Sequence, residues 1–319
     1  MADLPSWLSA SLADLIGLYR ANTLPHALLI VGHPGHGGTL LTDALVAKLL
    51  CRADFPQACG DCKACRLHRS GNHPDFVRVQ PEGKSLTIRV DAIRAINRKV
   101  AETAQQGGNK VIRLEQAEKM NSNAANALLK VLEEPSDATF ILLECSSLGR
   151  TLPTIRSRCR LVTLPEPTSS EALAMLVQAN FVLEPATALG IADGKPYGAL
   201  AVSQEQIDHW TECEQRFLHP SSFSQLSQFI NKAPLDATLR QLLLWVDSTV
   251  RRQFNQPENA LPVTDGLIGQ LMKQTPQSLF NFRDYIVGQL GSINRQSNLN
   301  TQLMGEELAS RWLDLRGIE

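Results

Sequence analysis

Three adjoining segments constrain this chain more than any other feature: HALLIVG (26–32), GHPGHGGT (32–39) and TLLTDALVAKLLC (39–51). The first is a short apolar run closed by glycine, and because neither of its alternating faces carries charge it predicts a buried parallel strand. The third sets Leu41, Ala44, Leu45, Ala47, Leu49 and Leu50 at mostly helical spacing. Strand, glycine-rich loop and helix in that order predict a nucleotide-type α/β domain.

The alternation continues downstream. DFVRVQP (75–81) alternates apolar and polar residues, and residues 90–104 carry a helical stripe of Ile93, Ile96 and Val100. GGNKVIRLEQA (107–117) predicts a return to strand, NSNAANALLKVLEEP (121–135) a helix opened by the capping residues Asn121 and Ser122 and stopped before Pro135, and TFILLEC (139–145) another buried strand. A parallel sheet covered on both faces is therefore expected over residues 1–165.

Prolines in LPEPTSS (164–170) mark a boundary, after which two short amphipathic helices reach Val202 and the rest, typified by residues 234–254, is helical. A chain of 319 residues exceeds what one core usually serves, and 43% hydrophobic residues with only 5% aromatics suit helical packing. The expected organisation is an α/β domain at 1–165, a small helical domain at 166–205 and an all-helical domain at 206–319. No internal repeat or low-complexity tract interrupts it.

A formal charge of −1 gives no overall positive field for phosphate backbones, so any nucleic-acid contact must be local or shared with partners. The first twenty residues lack the basic region and cleavage site of a signal peptide, and no apolar run reaches the roughly 20 residues of a membrane span. A cytoplasmic protein is expected, in which seven cysteines are not a disulfide framework.

GHPGHGGT fits the phosphate-loop pattern GxxxxGK[ST] through Gly32, Gly35, Gly37 and Thr39, with Gly38 in place of the lysine. Backbone N–H groups could still face a phosphate, but the ammonium that neutralises it is missing. At the end of the strand VIRLEQ, where an Asp-Glu pair normally holds magnesium and polarises water, stand Glu115 and Gln116. Gln116 cannot act as a carboxylate base. Two altered parts of one apparatus point to a loop retained for its fold, with ATP not expected to bind.

Cys59, Cys62 and Cys65 form CxxCxxC, with Cys51 eight positions before them. Four thiolates suffice for tetrahedral zinc, and a closed set leaves no open position, so a structural zinc is expected. Iron-sulfur ligation is the chemical rival, but Arg66 follows Cys65 where ferredoxin-type runs continue to a further cysteine and proline. His68 and His73 are alternatives to Cys51 as fourth ligand.

TIRSRCRLV (154–162) carries Arg156, Arg158 and Arg160, by default a solvated basic face. Taken with HALLIVGHPGHGG, CGDCKACRLHRSGNHPD and NALLKVLEEP, the triplet Ser157, Arg158, Cys159 resembles the AAA+ clamp-loader family of bacterial DNA polymerase III, in its delta-prime branch. The resemblance is specific over residues 20–165, weaker through the second domain and architectural thereafter, with INRQ (293–296) a short C-terminal echo.

The resemblance implies an AAA+ module made of the first two domains, the second a lid, and a helical collar that joins a hetero-pentamer with gamma or tau ATPase subunits and a delta subunit. Through that complex it implies a role in loading the sliding clamp on primed DNA at the nucleoid-associated replisome. It implies no ATP hydrolysis by this chain, an arginine finger at Arg158 reaching a neighbour's ATP site, and zinc on Cys51, Cys59, Cys62 and Cys65. Tyr197 stands where active subunits carry a nucleotide-sensing arginine. The rival readings are an active ATPase subunit of gamma or tau type, opposed by Gly38 and Gln116, and a zinc-dependent nucleic-acid module, favoured by Lys63, Arg66 and Arg69 but opposed by the near-neutral charge.

Overall fold

The computed structural model describes residues 4–82, 86–220, 222–255, 265–294 and 300–318. Arg295 and Gln296 of the INRQ segment lie outside the described residues. The chain divides into two compact units, Met1–Pro167 and Thr168–Glu319.

The first unit opens with α1 (Ser6–Arg20), β1 (Ala27–Val31) and α2 (Gly38–Leu50). The segment of clustered cysteines ends in α3 (Lys63–Arg69), followed by β2 (Phe76–Val79), α4 (Val90–Ala101) and β3 (Lys110–Leu114). α5 (Ser122–Glu133), β4 (Thr139–Cys145), the single turn α6 (Pro153–Arg156) and β5 (Arg160–Thr163) complete it. All five strands are parallel, in the order β2-β3-β4-β1-β5. This is a parallel α/β sheet of the P-loop type, with β1 between β4, which precedes the arginine segment, and β5, which begins at its Arg160.

Alternation along the strands assigns the two faces. Ala27, Leu29, Ile112, Leu114, Ile141 and Leu143 pack with Ile93, Ile96 and Val100 of α4 and Leu128, Val131 and Leu132 of α5 in one core. Residues between them, including Arg113 and Glu144, point to the other face, where Arg113 meets Asp43 of α2. Burying a helical stripe such as that of α4 stabilises the layer by about 1.5–3 kcal/mol per large aliphatic side chain. The cap of α5 is the one expected, with Asn121 Oδ1 accepting the Ala124 N–H at 2.8 Å.

The second unit begins with α7 (Ser169–Gln178), α8 (Pro185–Ile191) and α9 (Pro196–Ala199). Two helices are expected from the sequence here and three form, because Pro196 starts an additional single turn. Ala172, Leu176, Ala188, Leu189 and Ala199 make a small core of their own together with Ile207. Ile207 belongs to α10 (Gln204–Leu218), whose Cys213 and Phe217 enter a second, larger core.

That larger core is built with α11 (Phe223–Lys232), α12 (Leu235–Gln253), α13 (Asp265–Leu271), α14 (Pro276–Asn294) and α15 (Thr301–Arg316). Trp245 and Trp312 are fully buried at its centre, and Trp312 Nε1 donates to the Phe217 carbonyl at 3.0 Å. No helix among the described residues is long and apolar enough to cross a membrane.

Candidate functional site

Because the strands are parallel, β1, β3, β4 and β5 deliver Gly32, Glu115, Ser146 and Leu164 to one edge of the sheet, where open α/β sheets bind ligands. The Gly32 N–H donates to the Cys145 carbonyl at 3.1 Å and the Leu164 N–H to the Val31 carbonyl at 2.8 Å. The phosphate loop has its expected backbone. Gly35 and Gly37 stand at φ 89° and 85°, the left-handed region that favours glycine, and Gly37 caps α2, with Gly38 and Thr39 as its first residues.

Leu164, which is 7% exposed, covers this loop. A Cβ added at Gly32 or at Gly38 would stand 3.0 Å from Leu164 Cδ1, so the place from which a phosphate-binding lysine would start is in contact with an apolar side chain. Trp7 Nε1 donates to the His36 carbonyl at 3.0 Å, and His33 lies 3.4 Å from Glu166. Sequence reasoning missed Leu164 because it missed β5: RLVT is short, exposed at the sheet edge and embedded in an arginine run.

Glu115 is occupied by cations. Its Oε1 accepts from Arg78 Nε at 2.7 Å and lies 3.3 Å from Arg113 Nε, and the hydrogen bond to Glu115 raises the Arg78 pKa above its ordinary value. Arg113, 1% exposed, also pairs with Asp43 and, at 2.7 Å, with Glu144. Gln116 is exposed and left-handed at φ 51°. Tyr197 lies half-buried on α9, and burial pushes its phenol pKa up.

The four cysteines are together. All four Sγ atoms of Cys51, Cys59, Cys62 and Cys65 lie within 4.8 Å of one another, and three pairs are separated by 3.6, 4.0 and 3.9 Å. Four thiolates at about 2.3 Å from a tetrahedral zinc would be about 3.8 Å apart, so the spacing fits that ion.

Backbone N–H groups of Cys59, Cys62 and Cys65 each donate to the preceding ligand sulfur at 3.4 Å. Burial opposes the Cys62 thiolate, yet N–H groups of Arg52 and Cys65 outweigh it and bring the pKa down to about 6. N–H groups of Cys62 and Asp61 lower that of Cys59, while burial and the Cys62 sulfur push Cys65 up to about 12. Four sulfurs this close ionise together only around a cation, which is the chemistry of a metal set.

Arg66 donates to the Asp61 carbonyl and Arg69 to the Gly60 carbonyl, bracing the cysteine loop. His68 and His73 are not needed to complete the set. His68 packs edge-on against Phe76 and His73 Nδ1 accepts the Asp75 N–H at 3.1 Å, and burial lowers both imidazole pKa values.

Arg156 and Arg160 are exposed and make no ion pair among the described residues. Arg158 differs: its Nε and Nη2 donate to Glu133 Oε1 at 2.6 and 2.5 Å, and its Nη1 donates to the Thr154 carbonyl at 3.0 Å. Cys159 beside it packs on the sheet core, and burial pushes its thiol up to about 12, which keeps it unreactive.

A family model described as "DNA polymerase III, delta subunit" matches residues 8–168, the unit that carries this edge, the cysteines and the arginine segment. A solved DNA polymerase III gamma subunit-related protein from Thermotoga maritima is 19% identical, with 95% of this chain and 99% of that one covered at a TM-score of 0.48. "DNA polymerase III subunit delta'" of Pseudomonas aeruginosa is 36% identical over 99% of each chain. The protein of that name from Escherichia coli is 32% identical over 96% of this chain and 94% of its own. Identity at this level along nearly the whole of both relatives, together with the matching family model, means that the chain belongs to the DNA polymerase III delta-prime subunit family.

Proposed function

We propose that this chain is a non-hydrolysing clamp-loader subunit that supplies Arg158 to the ATP site of a neighbouring subunit. The observation that carries the reading is a phosphate loop covered by Leu164 in the same domain that presents Arg158 at its surface. A chain that keeps the loop's backbone but sets an apolar methyl against the point where the lysine would start has a fold to preserve and no nucleotide to turn over. Glu115, held by two arginines, is a poor magnesium ligand, and Gln116 has no carboxylate.

The partners are gamma- or tau-type ATPase subunits and a delta subunit, joined through the helical domain at 206–319. Residues 1–165 and 166–205 form the AAA+ module. The assembly loads a sliding clamp on primed DNA in the cytoplasm. Zinc, held by Cys51, Cys59, Cys62 and Cys65, would supply cross-linking of the loop to α2 and α3 and no reaction chemistry, since four thiolates close its coordination.

The test is reconstitution of the complex from separately purified subunits, with and without this chain. Clamp loading that needs this chain, while the chain alone hydrolyses no ATP, is the expected outcome. ATP turnover by the isolated chain, or full loading without it, would overturn the reading.

A further inference from the structure

Of the three arginines in the 156–160 segment, one has a carboxylate partner among the described residues. Glu133 is the last residue of α5, whose C-terminal end is anchored: Val131 and Leu132 are buried in the sheet core, and His26 Nε2 lies 2.9 Å from the Leu132 carbonyl. On the other side Ile155 is fully buried in the same core, and the Arg158 N–H donates to its carbonyl at 3.1 Å. Two rigid backbones thus bring these side chains together. The end of a helix is also where a cation is favoured, since the macrodipole there is negative and Glu134 adds to it.

The guanidinium is nearly saturated in this pose. Nε and Nη2 share Glu133 Oε1 at 2.6 and 2.5 Å, and Nη1 donates to the Thr154 carbonyl at 3.0 Å and to Ser157 Oγ at 3.2 Å. A single Nη2 hydrogen is left over, whereas an arginine that clamps a phosphate normally offers two parallel N–H donors. The carboxylate also cancels much of the positive charge that would act on a developing phosphate anion.

We propose that Glu133 is a positioning residue which holds Arg158 retracted on its own chain, so that the finger engages a neighbour's nucleotide only when this pair opens. This rests on the reading of Arg158 as a finger in trans. The pair is partly solvated, at 33% and 50% exposure, so the restraint is slight: such pairs shift a two-state population by up to about fivefold. Assembly against an ATP-bound neighbour is then enough to open it, and ATP and Glu133 compete for one cation.

The experiment compares wild type, Glu133→Gln, Glu133→Asp, Arg158→Ala and the double variant Glu133→Gln/Arg158→Ala in the reconstituted complex, with the other ATPase sites inactivated by substitution. Glu133→Gln should lower the KM for ATP at the adjoining site by about two- to fivefold with kcat within about twofold. Glu133→Asp, which keeps the charge, should stay near wild type. In the Arg158→Ala background Glu133→Gln should change nothing. In the isolated chain the Arg158 Nε–H resonance should be protected from exchange in wild type and lose that protection in Glu133→Gln.

A KM unchanged by Glu133→Gln in a complex that Arg158→Ala does slow would overturn the restraint and leave the finger standing. So would a slower rate with Glu133→Gln, or an effect of it that persists without Arg158. No effect of Arg158→Ala at all would remove the finger and the restraint together.

Discussion

Leu164 Cδ1 lies 3.0 Å from the point where a Cβ on Gly38 would stand, so the side chain after β5 and the residue that replaces the phosphate-loop lysine are in direct apposition. The two changes support each other. Without a lysine the leucine has room, and with the leucine in place the loop is covered by an apolar group that offers a phosphate no hydrogen bond.

The isolated chain should therefore bind ATP with no affinity in the micromolar range. Gly38→Lys alone should recover little, since its Cβ displaces the Leu164 methyl and Glu115 remains held by Arg78 and Arg113. Gly38→Lys with Leu164→Ala should bind more tightly than Gly38→Lys, still without hydrolysis because Gln116 is not a base. Titration calorimetry of the three proteins checks this order, and micromolar binding by the wild type would refute it.

One zinc per chain is expected in protein prepared without chelator. Chelation should raise hydrogen exchange over residues 51–73, whose sulfurs then lose the cation that lets them ionise together, while Trp245 and Trp312 stay buried in a separate core. Cys62→Ala should act like the chelator, and more so than most single ligand losses, because the Cys62 sulfur also accepts the Cys65 N–H that caps α3. Metal analysis that finds iron, or no metal, would contradict the assignment.

Arg113 is a buried cation among Asp43, Glu115 and Glu144. Arg113→Met should cost about 3–5 kcal/mol, because it strands carboxylates that are partly out of water. Burial raises the Glu144 pKa from its ordinary 4.5, with Arg113 opposing. The folded chain holds that proton more tightly than the unfolded one, so its contribution is present below 4.5 and is lost as pH rises through the raised value. Wild type should gain stability relative to Glu144→Gln as pH falls from 7 to 4.5. Urea unfolding of both proteins at the two pH values reads this directly.

Periodicity made four of the five strands and the helices α2, α4 and α5 legible, because burial of each against the sheet imposes a pattern that the sequence must carry. β5 was hidden: it lies at an edge, Arg160 and Leu161 are both exposed, and its side chains alternate only weakly. α3 was hidden by the cysteines, whose spacing is set by the sulfurs and not by an apolar stripe. The four ligands were legible because they are close in sequence. Leu164 and Glu133 were not, since each matters through a residue more than twenty positions away, and nothing in the local pattern marks such a contact.

Arg158→Ala should leave folding and assembly intact, because the side chain is part-exposed and its partners are a surface carboxylate, a hydroxyl and a helix-end carbonyl. In the complex the effect should fall on one site. Arginine fingers contribute on the order of 10³ to 10⁵ in rate in GTPases, but the remaining sites of a ring keep theirs, so total ATP hydrolysis should drop modestly. Clamp loading on primed DNA should drop further if all ATP sites must act together in each cycle. Arg158→Lys should rescue poorly, since an ammonium is a point charge without the planar fork that meets two phosphate oxygens. It also cannot donate to Glu133 and Thr154 in the same pose, so a lysine there is both less effective and less well placed. Reconstitution with Arg158→Ala and Arg158→Lys, measuring assembly, turnover at the adjoining site and loading, decides it: an intact complex with wild-type values for the last two would take Arg158 out of the mechanism.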